Sequence, residues 1–449
     1  MTRPGPFNLL RIRRDEVAEV GWSALTFFLV LSSYYILRPL RDEIGANDRD
    51  NLNLMWTASC VVMLIVAPLY YWMVRRYWDR RLLSVLYRFF VGNILVFYGL
   101  MQVLPAGGLV WVERVFYVWV SVFNLFVVAM FWALMADRHR SSSSKRLFGL
   151  IAVGGTLGGI LGSLLTASLS QVMAPIHLLV LSAALLEVSC RTSRMIYRRM
   201  ARSRDQVAGE PAAVAESLDR PTGMLEGLRV VVRSPYLLAI CAYLFLHTLM
   251  ATFLYYQQAD IVRAAFSDRA ARTSFLAVVD LVGNLSVAVL QLTATGVLLR
   301  RLGLGVALLF VPVLSALGFG LLAVAPTLWV LVGFNTVRRI GNFSFGKPAR
   351  DALYTVVSRR EKYQSKVFID TAVYRGSDLA NSWLYTGLGA LGLGSSAIAL
   401  FAVPIAGVWA VYAWILGRRH DALASAAEGA GEESSAGATP LPSARVHRP

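Results

Sequence analysis

The run 326–346 is apolar except where it reads Asn335-Thr-Val-Arg338-Arg339-Ile-Gly-Asn342. Asn335, Arg338 and Asn342 share one helical face by their spacing of three and four residues, and Arg339 lies beside it. At about 1.5 Å per residue, Arg338 falls roughly 17 Å from the start of the run, near a bilayer midplane. A charged group at that depth costs about 2.5–3.5 kcal/mol on insertion scales, so it faces a cavity or a partner. Guanidinium is a planar fork that grips phosphate or carboxylate oxygens through two parallel hydrogen bonds. The chemistry these residues suit is recognition of an anion.

Other polar groups stand in comparably apolar surroundings. The run 366–391 carries Lys366, Asp370, Tyr374, Arg375 and Asp378. Its charges are read either as part of a solute path or as structural pairs Lys366/Asp370 and Arg375/Asp378 within one helix. Tyr34, Arg38 and Arg41 share a face near the end of the first apolar run. They form either a cationic wall or a set of side chains reaching toward the membrane surface. Pro39 favours a kink that turns this face inward. Asp280, Asn284 and Gln291 make one stripe, with Asp280 a counter-ion for Arg338, Arg339 or Arg375, or else a proton or cation site. Glu113 and Arg114 read as solvent-facing. Tyr117, Ser121 and Asn124 continue inward on one face, and Arg88 reads as reaching the inner surface. Gly154, Gly155, Gly158, Gly159 and Gly162 form small-xxx-small repeats for close helix packing. No Walker, G-x-S-x-G or H-E-x-x-H pattern occurs, so neither catalysis nor ATP-driven pumping is expected.

These groups need helices to hold them. The chain has 449 residues, 56% of them hydrophobic and 16% charged, against about 25% charged in soluble domains. Hydropathy gives twelve spans at about 20 residues each: 17–40, 52–74, 82–104, 109–135, 148–172, 175–189, 235–257, 273–299, 304–324, 326–346, 366–391 and 395–416. With the N-terminus cytoplasmic, 33 of the 44 Lys and Arg fall on the inner side and 5 on the outer, as the positive-inside rule requires. The net charge of +17 therefore reflects cytoplasmic loops, and no nucleic-acid partner is expected. The first apolar run is read as a membrane helix, not as a cleaved signal. Cys60, Cys190 and Cys241 are scattered and imply no metal site or disulfide framework.

The expected organisation is all-α and polytopic, with twelve transmembrane helices in two six-helix bundles. Residues 1–189 form the first bundle, 190–234 a basic cytoplasmic linker, 235–417 the second bundle and 418–449 a disordered cytoplasmic tail. Repeated bundles of this kind place a solute site at their interface.

Several segments resemble the non-mitochondrial ATP/ADP antiporter family, the nucleotide translocases of plastids and intracellular bacteria. They are Tyr35-Ile-Leu-Arg38-Pro39-Leu-Arg41-Asp42, Phe131-Trp-Ala-Leu-Met-Ala-Asp137 with Lys145-Arg-Leu-Phe-Gly-Leu150, and Lys347-Pro-Ala-Arg350-Asp351-Ala-Leu-Tyr354 running into Lys366, Asp370, Arg375 and Gly376. The resemblance implies a major-facilitator-like fold in a bacterial inner membrane. Arg41 and Arg350 stand where the family has functional lysines. Ser121 and Gln257 replace two of its glutamates, which favours a relative carrying another nucleotide-like or phosphorylated anion.

The leading expectation is an antiporter for an anionic metabolite, a monomer in the bilayer without a cofactor. Arg38, Arg41, Arg338, Arg339, Arg350 and Arg375 would hold the solute with Tyr34, Asn335 and Asn342. Tyr34, Tyr117 and Tyr374 would stack on a base or sugar. Asp280, Asp370 and Asp378 would serve as counter-ions. The alternatives are a proton-coupled exporter of a small organic compound, protonated at Asp280 or Asp378, and a non-transporting membrane scaffold that docks through 190–234 and the tail.

Overall fold

A computed structural model describes residues 14–77, 82–138, 141–204, 224–293 and 295–436. It is all-helical over these residues. The helices are α1 (Arg14–Asn47), α2 (Leu52–Tyr77), α3 (Leu82–Val103), α4 (Ala106–Arg138), α5 (Ser141–Leu169), α6 (Leu178–Arg204), α7 (Met224–Arg233), α8 (Pro235–Ala265), α9 (Arg269–Thr293), α10 (Thr295–Val324), α11 (Leu328–Gly341), α12 (Lys347–Ala352), α13 (Arg359–Phe368), α14 (Tyr374–Ala390) and α15 (Ser395–Ala436). Short 3-10 turns follow α1, precede α6 and follow α12. Ten helices among the described residues are long and apolar enough to cross a membrane, and the protein is an integral membrane protein. The runs expected as spans ten and eleven are broken by wide π-helical turns, Asn342–Gly346 and Ile369–Val373.

Several boundaries differ from the hydropathy reading. Helix α1 passes through Pro39 and runs to Asn47, where Asp42 accepts from Tyr255 and Glu43 pairs with Arg269 of other helices. Helix α15 continues to Ala436, well into the segment expected to be disordered. Its extension is rich in alanine, the strongest helix former. The middle of the expected linker, 205–223, lies outside the described residues, as does the end of the tail. The part that follows the linker gap, α7, packs on α13.

Helices α1, α5 and α6 pack together, as do α2, α3 and α4. In the later half, α8, α14 and α15 pack together and α10 lies on α15 and α11. The seam between the two sets is made by α1 on α8 and α9, α5 on α9, and α2 on α14. Along α5 the glycine stripe meets α1 directly. A Cβ at Gly154, Gly158 or Gly162 would collide with the α1 carbonyls of Ala24, Phe28 and Ser32. Ser32 Oγ donates to the Gly158 carbonyl at 3.1 Å.

Candidate functional site

The seam opens into a cavity of about 390 Å³ lined by α1, α4, α8, α9, α11 and the first turn beyond it. Of the residues singled out from the sequence, Tyr34, Arg38, Asn124, Asp280, Asn335, Arg338, Arg339 and Asn342 line it. They are joined by Tyr35, Asp42, Gln258, Thr336 and Phe343, which sequence reasoning passed over. Asp42 could have been found as the i+4 neighbour of Arg38.

One carboxylate ties the two helix sets together. Asp280 Oδ1 lies 3.1 Å from Arg38 Nη1 of α1 and 2.8 Å from Arg339 Nη1 of α11. Arg339 Nη2 also donates to Tyr35 Oη at 3.0 Å and to Asn284 Oδ1 at 2.8 Å. Space for this guanidinium comes from Gly283, where a Cβ would stand 2.8 Å from Arg339 Cδ. Arg38 also lies 3.7 Å from Asp42 Oδ2. Asn335 Nδ2 donates to Gln258 Oε1 at 2.6 Å, joining α11 to α8.

Arg338 is different. Its Nε and Nη2 are buried without a hydrogen-bond partner, and no carboxylate among the described residues lies within ion-pair distance. Three guanidinium groups on the cavity wall face two carboxylates, leaving a net positive interior. Phosphate or carboxylate oxygens are the chemistry that would satisfy it.

The remaining sequence-selected residues do not reach this wall. Arg41 turns onto Asp42 at 2.7 Å and over the Tyr117 ring at 5.5 Å. Tyr117 is thereby buried and hydrogen-bonds Tyr255 at 3.1 Å. Arg375 pairs with Asp378 at 3.6 Å and packs over its neighbour Tyr374, and its carbonyl accepts from Cys60 of α2. Arg350 sits behind Asn342, donating from Nη1 to Asn342 Oδ1 at 3.0 Å, with His247 Nε2 at 3.4 Å. The i,i+4 pair expected between Lys366 and Asp370 is replaced by Lys366 with Asp351 at 2.6 Å, and Asp370 is exposed. Gln257 is buried and donates to the Ser395 carbonyl at 3.0 Å. The Gln291 side chain lies outside the described residues.

Glu113 and Arg114 are not solvent-facing groups. They belong to an ionic layer around the Asn47 end of α1. Arg269 of α9 bridges Glu43 of α1 at 2.8 Å and Glu113 of α4 at 2.7 Å. Arg49 meets Asp260 of α8 at 2.6 Å, while Tyr385 and Ser395 donate to the same carboxylate at 3.0 and 3.1 Å. Arg114 Nε donates to Asp48 Oδ2 at 2.6 Å. Tyr255 Oη donates to Asp42 Oδ1 at 3.0 Å. Burial works to raise the Asp48 carboxyl, but hydrogen bonds from Arg114 and Asn51 outweigh it and hold the group below its ordinary value. Away from this layer, Arg88 pairs with Glu187 at an exposed position, 3.2 Å apart.

Residues 108–328, about half of the chain, match the family model described as TLC ATP/ADP transporter. The match agrees with the resemblance read from the short motifs. It covers Ser121, Gln257 and Asp280 but stops before the arginines of α11. Solved structures share the fold. A POT family transporter in complex with 5-aminolevulinic acid aligns over 89% of this chain and 96% of its own, with a TM-score of 0.62 and 11% identity. The nucleoside transporter NupG aligns over 92% and 99%, with a TM-score of 0.57 and 12% identity. An inward-facing, unoccupied bacterial homolog of the human lysosomal transporter Spinster aligns over 90% and 98%, with a TM-score of 0.56 and 13% identity. No curated protein sequence matches the chain.

Proposed function

Taking the chain as a membrane transporter of the TLC type with a major-facilitator-like fold, we propose that it moves a phosphorylated or nucleotide-like anion by alternating access. The observation that carries this reading is the unpaired Arg338 in a cavity shared by both helix sets. In the proposed topology, the broken runs 328–352 and 359–390 complete twelve spans. Residues 1–189 and 235–417 act as two bundles, joined by 190–234 and followed by the tail. Both termini are cytoplasmic, the membrane is a bacterial inner membrane, and the carrier works as a monomer. The ionic layer around Glu43 and Arg269 then lies toward the outer side of the membrane.

An arriving anion is drawn to Arg338, and its charge repels Asp280 and loosens the hold of that carboxylate on Arg38 and Arg339. Once Asp280 no longer bridges α1 to α11, the two bundles lose a cross-link and can tilt about the solute. Exchange follows because the empty carrier has exposed guanidinium charge that resists passage through the closed form. Asp378 offsets the charge of Arg375 in an ion pair, and Asp370 contributes at the inner rim. Purified protein in vesicles preloaded with unlabelled solute should take up labelled nucleotides or organic phosphates. An R338A/R339A double variant with undiminished uptake overturns the reading.

A further inference from the structure

The π-turn at Asn342–Gly346 does more than break a span. In an unbroken α-helix successive residues turn by about 100°, so eight residues carry Arg350 about 80° around the axis from Asn342. A π-turn absorbs one extra residue. The same eight residues then cover roughly the rotation of seven, and Arg350 returns to within about 20° of Asn342. Arg338 is already in register, four residues before Asn342. The three side chains therefore form one stripe, and the hydrogen bond from Arg350 Nη1 to Asn342 Oδ1 at 3.0 Å shows it closed. Gly346 keeps the stripe open, since a Cβ there would stand 3.3 Å from Asn342 Oδ1 and 3.5 Å from Arg350 Nη1.

The stripe is also distinct in charge. Arg38 and Arg339 share Asp280, Arg41 holds Asp42, and Arg375 holds Asp378. Among the described residues, no carboxylate lies within ion-pair distance of Arg338 or Arg350. Arg350 leans instead on the buried His247, whose Nδ1 lacks a partner. Two unneutralised guanidinium groups match the −1.5 to −2 or so carried by one phosphate monoester at pH 7. A diphosphate or triphosphate tail would bring further charge to a wall whose other cations are already paired. The volume of about 390 Å³ is at the small end of the roughly 300–1,000 Å³ of small-molecule sites.

We infer that the transported metabolite is a phosphate monoester, its single phosphate bound by Arg338 and Asn342 on the cavity wall, with Arg350 behind Asn342 supplying the second unneutralised charge. This rests on reading the cavity as the transport site. The amide nitrogen of Asn342 is the free donor, because its oxygen accepts from Arg350. The remainder of the metabolite lies against Tyr34, Phe343 and the Asn335–Gln258 pair.

The test is uptake by wild-type protein in vesicles, with AMP and a hexose phosphate set against ADP, ATP and inorganic phosphate. Monoester uptake at least tenfold above that of ADP and ATP is expected. Arg338→Gln and Arg350→Gln should each remove most of it, and Arg350→Lys should restore part. Folding of each variant is checked by its thermal unfolding in detergent. ADP or ATP carried as well as the monoesters overturns the inference and leaves the transport reading standing. If inorganic phosphate alone moves, the site takes a free ion and the inference again falls. If no phosphorylated anion moves, both fall.

Discussion

Arg338 and Arg339 are consecutive residues of α11, yet Arg339 reaches Asp280 at 2.8 Å while two nitrogens of Arg338 meet no acceptor. Sequence neighbours about 100° apart on a helix face different surroundings. One has become a cross-link between helix sets, and the other is a charge held out to the cavity. The two should respond to the same substitution in opposite ways.

Arg338→Gln should leave thermal stability unchanged or raise it, because an unpaired buried cation is a cost to the fold. Anion uptake should fall by tenfold or more. Arg339→Gln should lower stability by about 1–3 kcal/mol, since it strands part of Asp280 and two polar partners. Thermal unfolding in detergent beside vesicle uptake separates the two. Equal destabilisation by both variants would contradict the assignment.

Asp280→Asn removes the shared counter-ion of Arg38 and Arg339. The cavity becomes more positive, so an anionic solute should bind more tightly while exchange slows. Equilibrium binding and counterflow rates measured on one preparation should move in these opposite directions. Weaker binding together with unchanged exchange would show that Asp280 does not respond to the solute's charge.

Gly283→Ala places a methyl group 2.8 Å from Arg339 Cδ and 3.0 Å from its Nη1. The side chain must move off α9, and the contact with Asp280 should be lost. Stability and uptake should both fall, in the same sense as for Arg339→Gln. Combining the two substitutions should add little, because residues that act through one contact are not additive.

The Glu43–Arg269–Glu113 bridge should bias the carrier toward the form closed at that end. Arg269→Ala leaves two buried carboxylates facing each other. A single cysteine introduced at Leu276, which lines the cavity, should then react faster with an impermeant thiol reagent added from outside. Cys60, Cys190 and Cys241 are replaced beforehand. An unchanged rate would mean that the bridge does not act as a latch.

Asp48 offers a pH test outside the spans. Its carboxyl is held below its ordinary value, so its contribution to stability is complete above the unfolded value, near 4, and is lost only as pH falls through the lower, folded value. Between pH 5 and 8 the stability difference between Asp48→Asn and wild type should therefore be constant. Thermal unfolding across that range checks it. A difference that shrinks from pH 8 to pH 5 would contradict the assignment.

The apolar runs and the Arg338 face were readable because each depends on local spacing, which a sequence displays directly. The glycine stripe of α5 was readable for the same reason. The ionic layer was not, because Glu43, Glu113 and Arg269 are far apart in sequence and meet only once three helices have docked. Arg350 was selected only through family resemblance. In α-helical register it falls off the Arg338 face, and nothing in Asn342-Phe-Ser-Phe-Gly346 announces the wide turn that corrects this. Arg41 and Arg375 carried the right charge at the right depth but lie next to Asp42 and Asp378, which claim them. The reading that paired Lys366 with Asp370 could not foresee Asp351, which meets Lys366 once the chain bends back between α12 and α13.

The contact between α5 and α1 is backbone against backbone, with glycines where side chains would otherwise act as ball bearings. Such a seam tolerates neither rolling nor sliding by a fraction of a turn. Arg38 therefore cannot swing on α1 alone. Whatever repositions it must carry both helices together, like a door leaf with its stile, and the motion must be sought at the edges of that pair.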